Sequence, residues 1–175
     1  MSQASGLSYL SDKLVQVAYV VEDFEKSMEF FRVALGVEKF YVWDLITKDQ
    51  TDKIYRGKPG EFEFSAAYGY SGDVQIELCK HVSGENVYKD WLAERGIGMH
   101  HTGYLLDDGD DFARAFKHLD SQGFEVAMAG RLGECQWTYF DTVSVVGSYT
   151  EIYWIPDDIA HIFEKMKRGE DPFAD

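Results

Sequence analysis

The chain contains one internal repeat, and this repeat limits its fold more than any other feature of the sequence. Residues 14–31 read LVQVAYVVEDFEKSMEFF, and residues 99–116 read MHHTGYLLDDGDDFARAF. Aligning the two segments places Gln16 on His101, and matching residues follow along both copies. Because a repeated segment marks a fold built from repeated units, we predict two structurally similar halves.

Each copy of the repeat predicts a β-strand followed by an amphipathic helix. The strand ends at an acidic residue, Asp23 or Asp108, which is suited to cap the start of a helix. Gly36 and Gly123 are placed to end the two helices. Apolar residues at spacings of three and four then indicate one buried face on each helix. They are Phe24, Met28, Phe31 and Leu35 in the first copy and Phe112, Ala115, Phe116 and Leu119 in the second.

Three more strands follow the helix in each half, since short aromatic and β-branched runs alternate with turn residues. We therefore predict an α+β fold in which two βαβββ modules in tandem form a metal-centred β-sheet cup. The predicted segments are a first module at 10–83, a helical linker at 84–97, a second module at 98–156, and a C-terminal helix with an acidic tail at 157–175. The charged stretch 46–60 is predicted to be a loop within the first module.

Four polar residues lie where the strands should be apolar. Successive side chains of a strand point to opposite faces, so Gln16 and His101 lie opposite the residues that pack under the helices. Glu77 and Glu151 occupy matching places on the fourth strand of each half. The adjacent His100 is predicted to point to the other face. We expect Gln16, Glu77, His101 and Glu151 to converge on the concave face.

Two carboxylates inside a β-sheet cup predict a bound cation. Burying a charge without a partner costs roughly several kcal/mol. A divalent ion offsets this cost, because it cancels the negative charges of both carboxylates. Gln16 and His101 would complete a set of four metal ligands with Glu77 and Glu151. Three oxygen donors and one nitrogen suit Mg, Mn, Co, Ni or Zn, and the sequence does not choose among them. Taken singly, each residue is better explained as an ordinary structural residue, whereas their shared face favours the metal site.

The predicted chemistry is proton transfer next to a carbonyl group. Glu151 is the expected general base, and Glu77 is its partner that returns a proton. Tyr149 and Tyr153 flank Glu151 on the same face and are expected to wall the pocket. The expected substrate is therefore a small and partly apolar molecule.

The chain resembles the vicinal oxygen chelate superfamily, which includes glyoxalases, bleomycin resistance proteins and dioxygenases. Family ligand positions carry onto Gln16, Glu77, His101 and Glu151. The segment GIGMHHTGYLLDD is most similar to methylmalonyl-CoA epimerases, whereas the ligand set is similar to that of eukaryotic-type glyoxalase I. The resemblance implies a metal-dependent isomerase, epimerase or lyase, and it implies a homodimer. It leaves open whether one chain or two supply each set of ligands, and whether glutathione or CoA is used.

Two other functions remain open at this stage. Some members of the superfamily bind and sequester ligands without catalysis, and the same cup would suit that role. The ring-cleaving dioxygenases need two histidines and one carboxylate for iron, and only one histidine fits here. The dioxygenase function is therefore the weaker alternative.

Charge and hydropathy limit the partners and the location. The chain of 175 residues has 17 Lys and Arg against 31 Asp and Glu, a net charge of −14, which opposes binding to nucleic acid or to anionic membranes. No apolar run approaches the roughly 20 residues of a membrane helix, and the N-terminus does not resemble a signal peptide. We expect a cytoplasmic protein. Cys79 and Cys135 are then expected to be reduced core thiols.

Overall fold

The structure is a computed structural model that describes residues 10–44 and 46–174. Within these ranges the strands form one ten-stranded mixed sheet that curls strongly into a half-barrel. In chain order the strands are β1 (Leu14–Val20), β2 (Phe40–Trp43), β3 (Thr51–Tyr55), β4 (Lys58–Pro59), β5 (Phe62–Ser71), β6 (Val74–Gly84), β7 (Gly98–Leu105), β8 (Val126–Leu132), β9 (Cys135–Phe140) and β10 (Tyr149–Trp154). Their order across the sheet is β2-β5-β6-β1-β7-β10-β9-β8-β3-β4.

The helices are short and are capped as the sequence predicts. They are α1 (Phe24–Leu35), α2 (Val87–Arg95), α3 (Gly109–Ser121), α4 (Val143–Val146) and α5 (Asp157–Lys167). The Asp23 carboxylate accepts from the backbone N–H of Lys26, and the Asp108 carboxylate accepts from that of Asp111. In the described ranges, no helix is long and apolar enough to cross a membrane.

The two halves repeat the same order of elements, which confirms the predicted α+β fold. The first half runs β1, α1, β2, β5 and β6, and the second runs β7, α3, β8, β9 and β10. In each half the first and last strands pair in parallel, and β1 pairs with β7 antiparallel at the centre of the sheet. One chain therefore builds the whole sheet. The predicted boundaries of the modules stay a prediction.

Helices α1 and α3 cover the convex face of the sheet. Met28 and Phe31 of α1 pack on Leu78 of β6, and Phe112 and Ala115 of α3 lie in an equivalent cluster on β9 and β10. This confirms the predicted buried face of both helices, with one exception. The side chain of Leu35, in the last turn of α1, is 57% exposed.

Helices α2 and α5 pack on the concave face. Tyr88 and Trp91 of α2 lie in one cluster with Ala18 of β1 and Tyr139 of β9. Phe163 of α5 belongs to a separate cluster on β5. The predicted linker is thus a helix, as expected, but it also fills part of the cup. The room for a ligand lies between these two clusters.

The prediction that residues 46–60 form a loop is wrong, because β3 and β4 within this stretch form a hairpin. Arg56 and Gly57 form its tight turn with positive φ angles of 48° and 75°, which suit the right-handed twist of a hairpin. Strand β3 pairs antiparallel with β8 of the second half. A segment inserted in the first half therefore extends the sheet of the second.

An arginine fixes this hairpin to the concave side of the cup. Arg56 Nη1 donates to Asp141 Oδ2 at 2.6 Å, and Nη2 donates to Asp90 Oδ2 at 3.3 Å and to the Tyr149 hydroxyl at 3.1 Å. The Tyr55 hydroxyl also donates to the Asp90 carboxylate at 2.9 Å. The hairpin, α2 and the end of β9 are therefore held together by charge-assisted hydrogen bonds.

Candidate metal centre

Strand register places the four predicted ligands in two adjacent rows at the centre of the sheet. Ala18 of β1 pairs with Glu77 of β6 on one side and with His101 of β7 on the other. One row further, Gly103 of β7 pairs with Gln16 and with Glu151 of β10. Directly paired residues share a face, and so do residues two apart, so all four predicted ligands lie on one face.

The two residues between the predicted ligands are the smallest available. Ala18 separates Glu77 from His101 across the strands, and Gly103 separates Gln16 from Glu151. A larger side chain at either place would occupy the space above the sheet where the polar groups meet. The sequence therefore leaves this space to the four polar side chains.

A histidine lies between two carboxylates in the interior. His101 Nε2 is 3.1 Å from Glu77 Oε2 and 3.3 Å from Glu151 Oε2. All three residues are buried, and the ring of His101 is completely so. The Tyr139 hydroxyl lies 3.4 Å from the same nitrogen, and its ring stacks on His101 with centroids 4.5 Å apart.

Burial and the charges of neighbouring side chains shift the pKa values of His101 and Glu151. Burial opposes the charged form of His101, but hydrogen bonds and charge from Glu151 and Glu77 outweigh it and raise its pKa to about 9. Burial raises the pKa of Glu151 to about 7, although His101 works in the opposite direction. Without a metal, the imidazolium is the positive charge that offsets the carboxylates.

Gln16 presents a free amide oxygen to this region. Its Nε2 donates to Gln75 Oε1 at 2.8 Å, and this fixes the orientation of the amide. Its Oε1 is buried and makes no hydrogen bond with any described residue. A Cβ atom at Gly103 would lie only 2.2 Å from this oxygen, so the glycine makes room for the amide.

These donors fit a divalent metal ion. A buried amide oxygen without a partner is costly, and a cation would satisfy it. Glu77 Oε2 likewise makes no well-aligned hydrogen bond, although His101 lies close. Two carboxylates, one amide oxygen and one imidazole nitrogen match the preferences of hard to intermediate divalent ions. The assignment of Gln16, Glu77, His101 and Glu151 as ligands stays a prediction.

Cys79 joins the same group, which the sequence reasoning missed. Its sulfur and single ligand atoms of Glu77 and His101 all lie within 4.8 Å of one another. Burial raises the pKa of the Cys79 thiol well above its usual value, and the charge of Glu77 adds to this. The cysteine is free and buried, as predicted, and its place two residues after Glu77 on β6 was the available signal.

The prediction that His100 points to the other face is wrong. Strand β7 bulges here, since Ala18 pairs with His101 and Tyr19 with Met99, and His100 is the extra residue. Its ring packs on Tyr88 of α2, with centroids 4.9 Å apart.

The bulge also brings His100 into contact with the predicted ligand. His100 Nδ1 lies 2.9 Å from His101 Nδ1. Burial lowers the pKa of His100 well below its usual value, and the charge of His101 adds to this. A neutral His100 can therefore accept the Nδ1 proton of His101, and this leaves Nε2 of His101 to face the carboxylates.

A cavity of about 110 Å³ opens on the carboxylate end of this group. Gln16, Glu77 and Glu151 line it, and eight of its 19 lining residues are aromatic. Tyr153 lines the cavity as predicted, but Tyr149 does not, because it packs on Trp91. Seven other aromatic residues line the cavity. They are Trp43, Phe64, Tyr68, Trp137, Tyr139, Trp154 and Phe163.

Solved structures resemble the chain at low sequence identity, which shows the fold alone. A hypothetical protein, BH1468 from Bacillus halodurans C-125, gives a TM-score of 0.61 at 17% identity, with 83% of this chain and 95% of that chain covered. Methylmalonyl-CoA epimerase from Mycobacterium tuberculosis gives a TM-score of 0.58 at 19% identity, with 87% of this chain and 94% of that chain covered. A variant of the Streptomyces coelicolor methylmalonyl-CoA epimerase, in complex with 2-nitronate-propionyl-CoA, gives a TM-score of 0.57 at 18% identity, with 83% of this chain and 95% of that chain covered.

A protein-family model identifies the family, which the low sequence identity to the solved structures does not. No curated protein gives a significant match to the sequence. The model of the glyoxalase/bleomycin resistance protein/dioxygenase superfamily matches residues 15–139, which include Gln16, Glu77 and His101. This match covers well over half of the chain and agrees with the curled sheet and with the structural neighbours. The chain therefore belongs to the glyoxalase/bleomycin resistance protein/dioxygenase superfamily.

Proposed function

We propose that the protein is a divalent-metal-dependent enzyme that transfers a proton at a carbon atom next to a carbonyl group. The reaction class is that of an isomerase, an epimerase or a glyoxalase-type lyase. One observation carries the proposal: two buried carboxylates, Glu77 and Glu151, line a cavity and both lie within 3.3 Å of His101 Nε2. Membership in a superfamily that contains metal-dependent epimerases and glyoxalases supports it.

In this proposal Gln16, Glu77, His101 and Glu151 hold one ion of Zn, Ni, Co, Mn or Mg. A bound divalent cation supplies Lewis acidity, which stabilises the negative charge that develops on a substrate carbonyl when the neighbouring carbon loses its proton. The buried position supports this role, because electrostatic stabilisation is stronger where water is excluded.

Glu151 is proposed to remove the substrate proton. Burial raises the pKa of Glu151 to about 7 in the metal-free chain, and a bound cation would lower it, so the carboxylate would be ionised and able to accept a proton near neutral pH. Glu77 approaches His101 from the opposite side and is proposed to return the proton. Tyr68 lies beside Glu77 and lines the cavity, so it helps to exclude water from that carboxylate.

A second candidate function is ligand binding without catalysis. The aromatic walls of the cavity favour this alternative, since they would hold an apolar ligand with or without a metal ion. A dioxygenase is less well supported, because His101 is the one histidine that contacts the carboxylates in the described part of the chain.

Metal analysis and solvent-proton exchange test the proposal. Protein purified without chelators should contain one divalent ion per chain, and EDTA should lower its melting temperature. The metal-loaded enzyme should incorporate deuterium from D₂O into small carbonyl compounds with an acidic C–H bond. We expect Glu151→Gln to abolish this exchange, whereas the surface variant Glu94→Gln should keep it. Stable protein without metal, or full exchange in Glu151→Gln, would contradict the proposal.

The assembly and the location stay proposals as well. We propose a homodimer in the cytoplasm, with a small molecule as the natural ligand. Phe30 and Val33, one turn apart on the outer face of α1, are 57% and 77% exposed and would suit a contact between chains. Light scattering of the purified protein would show a mass of about twice 20.0 kDa if the dimer forms.

A further inference from the structure

Glu77 and Glu151 are the acidic residues that line the cavity, and aromatic side chains are the largest class among the other lining residues. Gln16, Gln50, Gln75 and Gln136 also line it, so its polar surface is uncharged away from the two carboxylates. Its volume of about 110 Å³ is of the order of the roughly 150 Å³ cavity that holds one benzene in another protein. The aromatic walls include Trp43, Tyr68, Trp137, Tyr153, Trp154 and Phe163. A single aromatic ring therefore matches both the size and the walls.

Helix α5 and the strand preceding it close the open side of the cup. Ile155, Ile159 and Phe163 line the cavity from this segment. The Phe163 ring packs on Trp43 and on Tyr68, with centroids 5.4 Å and 5.3 Å apart. These edge and tilted contacts form a cage into which another ring can pack in the same way.

The positive charge of the His101 imidazolium is paired with Glu77 and Glu151 and is not a lining group of the cavity. Among the described residues that line it, none is a lysine, an arginine or a histidine. Two exposed acidic residues, Glu134 and Asp158, directly precede the lining residues Cys135 and Ile159, and we call this pair the acidic mouth. The net charge of −14 adds to this negative field. An anionic ligand would therefore approach a surface of its own sign.

Two of the three basic residues of the β3–β4 hairpin, Lys53 and Arg56, already hold ion pairs, and the third, Lys58, is exposed. Lys53 Nζ donates to Glu63 Oε1 at 3.2 Å and to the backbone oxygen of Phe62 at 3.1 Å. Arg56 is held by two aspartates. Binding a phosphate group through either residue would break an existing ion pair.

We infer that the ligand is an uncharged aromatic carbonyl compound of about one ring, and that CoA thioesters are poor ligands. The ring would lie among the aromatic walls, and the carbonyl would point to Glu77 and Glu151. The orientation of the carbonyl depends on the proposed function, whereas the selection for an uncharged ring depends on the cavity alone. The inference separates this chain from its structural neighbours, of which one is described in complex with methylmalonyl-CoA.

Calorimetric titration of the full chain tests the inference with a matched pair of probes. 2-Hydroxyacetophenone and benzoylformate have the same ring, and benzoylformate carries a negative charge. With chelator-treated protein, we expect the neutral probe to bind about tenfold or more tightly than the anion or methylmalonyl-CoA. Equal or tighter binding of either anionic probe would overturn the inference.

Metal loading separates this inference from the proposed function. If the neutral probe binds but the metal does not increase its affinity, the metal-dependent function fails and the ligand class stands. If the metal supports proton exchange but methylmalonyl-CoA is the tighter ligand, the ligand class fails and the proposed function stands.

Two sets of variants test the walls and the mouth separately. Phe163→Ala should weaken the neutral probe by about tenfold, because one side of the cage is lost. Phe173→Ala, an equal truncation at a position that is 72% exposed and outside the cavity, should leave the affinity unchanged. The double variant Glu134→Lys with Asp158→Lys changes two exposed residues, so its folding is not at risk. It should raise the affinity for benzoylformate several-fold, and an unchanged affinity would contradict the role of the acidic mouth.

Discussion

Replacing Gly103 by alanine tests the packing that positions the Gln16 amide. A Cβ atom at this position would lie 2.2 Å from Gln16 Oε1 and 3.0 Å from Gln16 Cβ. The first distance is far below van der Waals contact, so the amide must move away. Its hydrogen bond to Gln75 would then be lost or distorted, although the two residues stay paired on β1 and β6.

The size of the effect follows from two contributions. A buried amide that loses its partner costs about 1–3 kcal/mol, and crowding a packed interior costs a similar amount. Since the side chain can partly adjust, we expect Gly103→Ala to lower the free energy of unfolding by about 2–4 kcal/mol. In a chain of this size, that corresponds to a fall in melting temperature of about 5–15 °C. Displacement of Gln16 should also weaken metal binding by about 10- to 100-fold.

Thermal and chemical denaturation of metal-free protein, together with metal titration, measure both effects. Gly109→Ala is the matched control, because its new Cβ would meet only the Trp154 ring at 3.7–4.0 Å, an ordinary contact. It should change stability by about 0.5 kcal/mol or less and should leave metal affinity unchanged. If Gly103→Ala behaves like Gly109→Ala, then the glycine does not make room for a ligand amide and our account of Gln16 is wrong.

Three further predictions concern protonation, the hairpin and the cysteine. In chelator-treated protein the free energy of unfolding should fall as pH rises from about 6.5 to about 9, because the raised pKa values of Glu151 (about 7) and His101 (about 9) mean that the folded state loses protons in this range. Below this range the lowered pKa of His100 acts in the opposite direction, and urea titrations in which stability rises between pH 7 and 9 would contradict the prediction. Arg56→Ala should lower the free energy of unfolding in urea by about 1–2 kcal/mol, because two carboxylates lose a charge-assisted partner. The control Arg168→Ala, which removes an exposed ion pair, should lower it by less than about 0.5 kcal/mol. Equal losses in the two variants would contradict the anchoring role of Arg56. Cys79→Ala should leave metal affinity within about twofold in calorimetry, because a thiol whose pKa is raised is a poor ligand for hard ions, and a large loss would make the cysteine a ligand.

Local sequence signals were sufficient for most of the fold. The repeat, the caps at Asp23 and Asp108, and the apolar spacing of α1 and α3 all depend on residues close together in the chain. These signals predicted both helices of the repeat and the strands around them. The shared face of Gln16 and His101 followed from strand alternation, which is equally local.

Contacts between distant segments account for what was missed. Strand β3 is short and charged, and it is stabilised by pairing with β8, about 75 residues later, which no local pattern reveals. The bulge at His100 breaks the alternation of side chains, so a strict two-residue period assigned this residue to the wrong face. The lining of the cavity depends on where α5 packs, and amphipathic spacing alone does not say which face of the sheet a helix covers.

Anomalous diffraction from crystals grown with Mn²⁺ or Co²⁺ tests the central claim most directly. We predict a single strong peak per chain on the concave face, within coordination distance of Gln16 Oε1, His101 Nε2 and one oxygen each of Glu77 and Glu151. The peak should disappear in Glu77→Gln crystals, because this variant lacks one of the two negatively charged ligands. No peak at this place in the unmutated protein, or a peak bound by Cys79 in place of Glu151, would contradict the assignment.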